Sequence, residues 1–127
     1  MEVRDAVEAD AERLAELTGA PTDVMRNLVH DRTVRVAAED DEIAGFVSFD
    51  ARRRTVHVTQ LEGPAAVCDR LLTEPVRFAR GEDMAVELLV PEPNGDVRDA
   101  VDDAGFDRVG SGPRFDGTPT VKYRLDG

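Results

Sequence analysis

The chain has 127 residues and a formal net charge of −11 at pH 7. One domain over residues 1–127 is long enough to bury a core, and the lone Cys68 excludes an internal disulfide or a cysteine zinc cluster. The acidic balance lacks the basic footprint of a nucleic-acid-binding protein and makes an anionic membrane an unfavourable partner. We find no apolar stretch of transmembrane length and no signal-peptide pattern, so we expect a cytoplasmic protein.

The basic residues are almost all arginine, with Lys122 the single lysine beside fifteen arginines. Acidic residues are scattered over every polar stretch, whereas an acidic binding surface would gather them in one patch or tail. At molar salt the Debye length falls to about 3 Å, so the self-repulsion of such a surface is screened. The composition is therefore typical of a halophilic protein in a salt-filled cytoplasm.

The first half of the chain predicts a short strand, two helices and two further strands. A strand over residues 1–4 precedes a helix over 10–18, which Gly19 stops, and a second helix that starts at 21–23. Strands over 33–38 and 43–49 are joined by an acidic turn. Gly45 inside the second of these strands indicates close approach of another backbone.

The middle of the chain predicts a strand over residues 55–60 and then a helix. Val56 and Val58 alternate there with His57, as on a strand with one buried face. Gly63 and Pro64 open the helix, since proline is tolerated at a first helical position. Pro75 falls inside the helical pattern, so we expect it to kink or split the helix.

Residues 86–110 predict a buried strand, an amphipathic helix and a new strand. An apolar run at 86–90 has strand length, and Asn94 is a good N-cap for the helix that follows. Apolar residues then recur at helical spacing from Val97 to Ala104, and Gly105 supplies a left-handed stop before Phe106. A loop rich in Gly and Pro, with Phe115 in it, precedes a last strand over 120–125.

The stretch 86–110 resembles the second motif of the GNAT superfamily of acyl-CoA N-acyltransferases. That motif is a strand, an Asn, a helix and Gly-Phe, with the spacing found here from Asn94 to Gly105. The whole chain has the family's element order, βααββββαβαββ up to how the strand near residue 55 is counted. The resemblance implies an α/β (α+β) fold: a mixed, mostly antiparallel sheet with helices on both faces.

The resemblance also implies where acetyl-CoA enters. The family opens a V-shaped gap between two central parallel strands, here residues 55–60 and 84–90, and the pantetheine chain lies against the first strand. The pyrophosphate is held by backbone amides at a helix N-terminus, in a loop of the form Arg or Gln, two residues, Gly, any residue, Gly or Ala.

Two registers of that loop are open. One puts Gln60 at the Arg or Gln position, which matches the letters but shifts the strand by one residue and flips its faces. The ungapped register, which we adopt because it keeps the strand in phase, puts Gly63 there and Ala66 and Cys68 at the glycine positions. This register places no cationic side chain in the loop, and the negative charge of Glu62 opposes binding of the pyrophosphate. The implied cofactor contacts are Val58, Thr59, Gly63, Ala65, Ala66, Val67, Cys68 and Asn94.

The candidate catalytic residues depart from the family pattern. The tyrosine that commonly protonates the departing thiolate is replaced by Val101. Tyr123 could replace it if it faces the cleft, Glu62 or His57 could act as the base that the amine requires, and each has a plain packing or surface alternative. Cys68 is either a thiol with a lowered pKa at a helix start or a small buried residue.

The leading functional hypothesis is transfer of an acetyl group from acetyl-CoA to a primary amine. The alternative is a catalytically inactive module of the same fold that binds an acyl-CoA, a metabolite or a protein partner. We find no metal-ligand spacing and no Ser-His-Asp order, and the acceptor and the oligomeric state are not legible from the residues.

Overall fold

A computed structural model of the chain describes residues 1–126, in which seven strands form one sheet flanked by four helices. A short 3-10 turn precedes the first helix. The strands are β1 (Glu2–Asp5), β2 (Thr33–Glu39), β3 (Glu42–Arg52), β4 (Thr55–Glu62), β5 (Ala85–Pro91), β6 (Asp107–Ser111) and β7 (Thr120–Leu125). The helices are α1 (Ala11–Thr18), α2 (Thr22–Asp31), α3 (Ala65–Gly81) and α4 (Gly95–Asp103).

The strands lie in the order β1-β2-β3-β4-β5-β7-β6, and every neighbouring pair is antiparallel except β4 with β5. The predicted mixed, mostly antiparallel sheet is therefore confirmed. Three strands, not four, separate α2 from α3, so the strand near residue 55 is counted once. Because β4 and β5 run parallel, the chain must cross between them, and α3 makes that crossover.

Helices cover both faces of the sheet, but they cover them unequally. The larger core lies beneath α3 and α4, where residues from both helices and from β3, β4, β5 and β7 are buried together. The smaller core packs α1 and α2 on β2 and β3. On that second face the polar side chains of β4, β5 and β7 lie beside the α1–α2 pair, and this region holds the site described below.

Local signals set the ends of α4 as expected. The Asn94 side chain accepts a hydrogen bond from the Val97 amide at 3.3 Å, which caps the first turn. Gly105 has φ +88°, the left-handed conformation that ends the helix. Both predictions are confirmed.

Of the two outcomes expected at Pro75, a split helix is excluded because α3 is continuous through it, and a kink stays a prediction. An interior proline removes one helical hydrogen bond and costs about 3 kcal/mol. Pro75 is buried, as are Leu71, Leu72 and Ala79 on either side of it, so apolar packing offsets that cost. None of the helices in residues 1–126 has both the length and the apolar character that crossing a bilayer requires.

Candidate functional site

The two central strands separate halfway along their length. β4 and β5 pair only from Thr55 with Ala85 to Val58 with Leu88. Both strands continue beyond that point, β4 to Glu62 and β5 to Pro91, with no ladder between them in the described residues. The predicted V-shaped gap is therefore present, and each arm of the V carries a backbone edge that has no partner strand.

A β-bulge in β4 accounts for the separation. Phe49 of β3 lies opposite Val58, whereas Ser48 lies opposite Gln60, so Thr59 is an extra residue in β4. The Ser48 and Thr59 hydroxyls are 2.6 Å apart, and Thr59 also donates to the Ser48 carbonyl at 3.2 Å. A bulge bends its strand and increases its twist, which turns the end of β4 away from β5.

A groove of about 780 Å³ passes through the gap, and Arg32 just after α2 and the β6–β7 hairpin contribute to its lining. Its floor includes His57, which lies between Asp50 of β3 and Glu87 of β5 in adjacent strands. The arms of the V supply the end of β4, with Thr59 and Glu62, and the end of β5. The volume is in the range of pockets that hold small organic ligands.

Two carboxylates of the floor are already neutralised by cations. Asp50 is paired with Arg32 at 2.5 Å. Glu87 is paired with Arg124 and, at 3.5 Å, with Lys122 of the neighbouring strand β7. A neutralised carboxylate has little attraction left for a ligand cation, so these two residues do not make the floor an acidic site.

The hairpin between β6 and β7 forms the far wall. Phe115 and Thr118 exchange backbone hydrogen bonds of 3.0 and 2.9 Å around Asp116 and Gly117, which both have positive φ. This is the geometry of a tight type I′ turn, and it holds the exposed Phe115 at the edge of the groove. A β-carbon on Gly112 would lie 2.6 Å from the Leu89 side chain, so the hairpin sits directly against that residue.

Gly45 and Glu62 form a tight backbone contact at the mouth of the V. A β-carbon at position 45 would lie 2.3 Å from the Glu62 carbonyl oxygen, which confirms the predicted close approach. Glu62 is half-buried and lines the groove. Burial raises the pKa of its carboxyl group, because the site disfavours the charged form.

Helix α3 begins directly after this mouth. Pro64 occupies the N-cap position without a capping side chain, so the first amides, those of residues 65–67, are left for water or a ligand. Ala66 is exposed there, whereas Val67 and Cys68 are buried. Gln60 lies within β4, opposite Ser48.

Cys68 is a buried structural residue. Its thiol donates to the Gly63 carbonyl at 3.3 Å. Burial, followed by the nearby carboxylates of Glu62 and Asp96, raises the pKa of the thiol to about 12. The hypothesis of a lowered thiol pKa is therefore wrong, because desolvation and negative charge outweigh the helix N-terminus.

The predicted site residues fall into three places. The groove collects His57, Val58, Thr59, Glu62 and Asn94. The start of α3, beside the mouth of the V, holds Gly63, Ala65, Ala66, Val67 and Cys68. Tyr123 and Val101 belong to the buried core under α3 and α4 and do not line the groove. Tyr123 lies opposite Leu88 and shares its buried face, so it does not face the cleft as the hypothesis of a replacement acid required.

Most of the residues that line the groove were not predicted as site residues, and four of them are chemically informative. Arg52, Leu89 and Phe115 line it from three different strands or loops, and so does Gln60, whose side-chain oxygen is buried without a hydrogen-bond partner. One signal was available: Leu89 breaks the alternation of an otherwise buried strand by placing an apolar side chain on the exposed face.

Comparison with known proteins gives no matching family model and no matching curated protein. Solved structures do match over nearly the whole chain. A proposed acetyltransferase of the GNAT family from Desulfovibrio desulfuricans is 22% identical, with a TM-score of 0.77 and 98% of each chain covered. Ribosomal-protein-alanine N-acetyltransferase from Brucella melitensis is 16% identical, with a TM-score of 0.81 and 99% of each chain covered.

A third match carries a ligand. It is yncA from Salmonella typhimurium, a proposed acetyltransferase solved with its cofactor acetyl-CoA. It is 19% identical, with a TM-score of 0.81, and the match covers 99% of this chain and 93% of that one. At these identities the matches establish the architecture alone. The chain therefore has the GNAT fold.

Proposed function

We propose that this protein transfers an acetyl group from acetyl-CoA to a primary amine. The observation that carries the proposal is the gap beyond Val58 and Leu88, through which the groove passes from one face of the sheet to the other. Such a gap lets an acyl donor and an acceptor meet from opposite faces at one point. Two matched structures are of proteins described as acetyltransferases, and one of these was solved with acetyl-CoA, which supports the proposal at the level of the fold.

The donor would use two sets of backbone groups. The unpaired edge of β4 from Val58 onward is suited to pair with the two amides of a pantetheine chain, as an added strand pairs with a sheet edge. The uncapped amides of residues 65–67 at the start of α3 suit the pyrophosphate. Glu62 and Asp96 lie close to that helix start and oppose the anion, so we expect weak binding.

Glu62 is the proposed proton acceptor. In the reaction the amine nitrogen attacks the thioester carbonyl, the C–N bond forms, the C–S bond breaks, and the amine loses a proton. Glu62 lines the groove at the mouth of the V, and its raised pKa brings a carboxylate closer to the range of an effective base. His57, two residues before the bulge, is the second candidate and would act through water along the floor.

Protonation of the leaving thiolate falls to solvent in this proposal. Val101 occupies the usual tyrosine position and is fully buried, and the single tyrosine lies in the core. The groove is open to water, which can deliver the proton at the cost of a slower step than a positioned acid provides.

Titration calorimetry with acetyl-CoA in molar potassium chloride tests the proposal, together with a thiol-release assay using a panel of amines. We expect millimolar or tighter binding, and loss of it in Ala66→Glu, which blocks the helix start and adds negative charge. Ala9→Glu, at an exposed site on the 3-10 turn, is the matched control. No heat and no shift in melting temperature at millimolar acetyl-CoA would refute the enzyme.

The second candidate is an inactive module of the same fold that binds an acyl-CoA or another partner. The buried Val101 and the absence of a cation among residues 63–68 of the loop favour it. It predicts binding of acetyl-CoA without thiol release for any amine tested, a result that the enzyme hypothesis does not allow.

A further inference from the structure

The lining of the groove is balanced in charge, in a protein whose net charge is −11. Apart from Glu62 at the reacting end, its lining contains three basic side chains, Arg32, Arg52 and Lys122, and two acidic ones. Both acidic residues, Asp50 and Glu87, are held in ion pairs. Among the described residues of the lining, Glu62 is therefore the one carboxylate outside an ion pair, so a polycationic acceptor finds a single counter-charge in the groove.

Arg52 is the cation that remains for a ligand. It lies at the end of β3, opposite Thr55, and none of the ion pairs within residues 1–126 involves it. Val58, where the gap begins, lies three positions after Thr55, which corresponds to about 10 Å along the strand. The flexible arginine side chain can span part of that distance, so an anionic group on a small acceptor is within its reach while the amine lies at the gap.

The wall opposite Arg52 is apolar. Leu89 and Phe115 are two of the few large apolar side chains that the protein leaves exposed, and both line this groove. Gly112 packs against Leu89, and the tight turn fixes Phe115, so both side chains are anchored by neighbouring structure. Apolar side chains that line a pocket supply the contact for the apolar part of a ligand.

Gln60 adds a polar contact at the gap itself. Its side-chain oxygen is buried without a hydrogen-bond partner, and the residue lines the groove beside the bulge. Buried acceptors are normally satisfied, and no protein hydrogen bond opposes turning this one toward a ligand N–H group. An amine at the gap would supply that donor.

From these contacts we infer that the acceptor is an amine with an apolar body and a carboxylate, in the class of apolar amino acids. Arg52 binds the carboxylate, Leu89 and Phe115 contact the apolar body, and Gln60 accepts a hydrogen bond from the amine. This rests on the proposed function and names its substrate class.

Three probes separate the contributions: L-phenylalanine, its neutral amide L-phenylalaninamide, and the polycation spermidine. In one buffer of fixed salt we expect kcat/KM for phenylalanine to exceed that for the amide about tenfold, and spermidine to be the poorest. Arg52→Gln should remove the preference for phenylalanine over the amide, so that the ratio of the two kcat/KM values falls to about one. Arg53→Gln, an exposed neighbour that does not line the groove, is the matched control.

Direct binding keeps the inference testable whether or not turnover is found. Calorimetry with N-acetyl-L-phenylalanine, which carries the same apolar body and carboxylate, should show binding to the natural protein and to Arg53→Gln, with about tenfold weaker binding to Arg52→Gln. Equal affinity for all three proteins, or no binding, overturns the inference. If acetyl-CoA binds and spermidine is the best acceptor, the inference fails while the acetyltransferase stands.

Discussion

Val58 and Leu88 are the last residues that β4 and β5 place side by side, and the proposed transfer of the acetyl group takes place beyond them. Both side chains are buried under α3 and α4, so they anchor the base of the V in the main core. The extra residue Thr59 follows Val58 at once, which makes the gap begin at a defined place. The reacting groups are thus located by a core contact and not by a mobile loop.

Replacing Glu62 with Gln should separate the catalytic role of the carboxylate from the loss of stability that its buried charge causes. The folded-state pKa is raised above the ordinary 4.5, so the stability that the neutral carboxyl contributes is full below pH 4.5 and is lost as pH rises through the raised value. We therefore expect Glu62→Gln to melt at a higher temperature than the natural protein near pH 7, and equally at pH 4. Turnover should fall by about a hundredfold or more.

Thermal melts across this pH range, with Glu92→Gln as an exposed control, check the first part. A variant that is less stable at pH 7 would show that the charged carboxylate has a partner, and full activity would remove Glu62 from the mechanism.

Gly45→Ala should destabilise the fold. The new methyl group would overlap the Glu62 carbonyl, which is backbone and cannot rotate away, and overpacking of this kind typically costs about 1–3 kcal/mol. Gly81→Ala is the matched control, since a β-carbon there meets nothing within 4 Å. Urea unfolding of both variants measures the difference, and a Gly45→Ala variant as stable as the natural protein would mean that the mouth of the V is wider than described.

Val101→Tyr should lower stability and leave turnover unchanged. The position is fully buried among Val97, Ala100 and the sheet, so a phenol ring must displace packed side chains at a typical cost of about 1–3 kcal/mol. Melting curves and thiol release measured on the same sample test both parts of this prediction. Val101→Leu, a smaller replacement, is the control. A stable variant with faster turnover would show that the acid site is intact and lacks only its tyrosine.

The acidic surface should make the fold depend on salt. Scattered carboxylates repel one another in dilute buffer, and molar potassium chloride screens that repulsion. We expect far-ultraviolet circular dichroism to show loss of structure at low salt and recovery at high salt. A spectrum and melting temperature that stay the same from dilute buffer to molar salt would contradict a halophilic origin.

Features set by neighbouring residues could be predicted from the sequence. The Asn94 cap, the left-handed Gly105 and the apolar stripe of α4 depend on residues within a few positions, and each was found where expected. The alternation of Val56 and Val58 likewise identified the buried face of β4, whereas the register of the cofactor loop stays a prediction.

The composition of the groove could not be predicted in this way. Thr59 is a bulge only because of how β4 pairs with β3, and Arg32 meets Asp50 across a separation of 18 residues. The role of Leu89 requires the hairpin that packs against it. Pro75 shows the opposite case, in which a strong local signal is overridden by tertiary packing.

The short β4–β5 ladder divides the sheet into two halves, β1 to β4 and β5 with β7 and β6, joined by four residue pairs and bridged by α3. The ladders on either side of it, β3–β4 and β5–β7, have seven and six residue pairs, so this seam is the shortest ladder among the central strands. A molecule that hydrogen-bonds to both arms of the V would act as an additional cross-link between the halves. Binding of such a molecule would then slow amide hydrogen exchange along the seam, including at residues that the ligand does not contact.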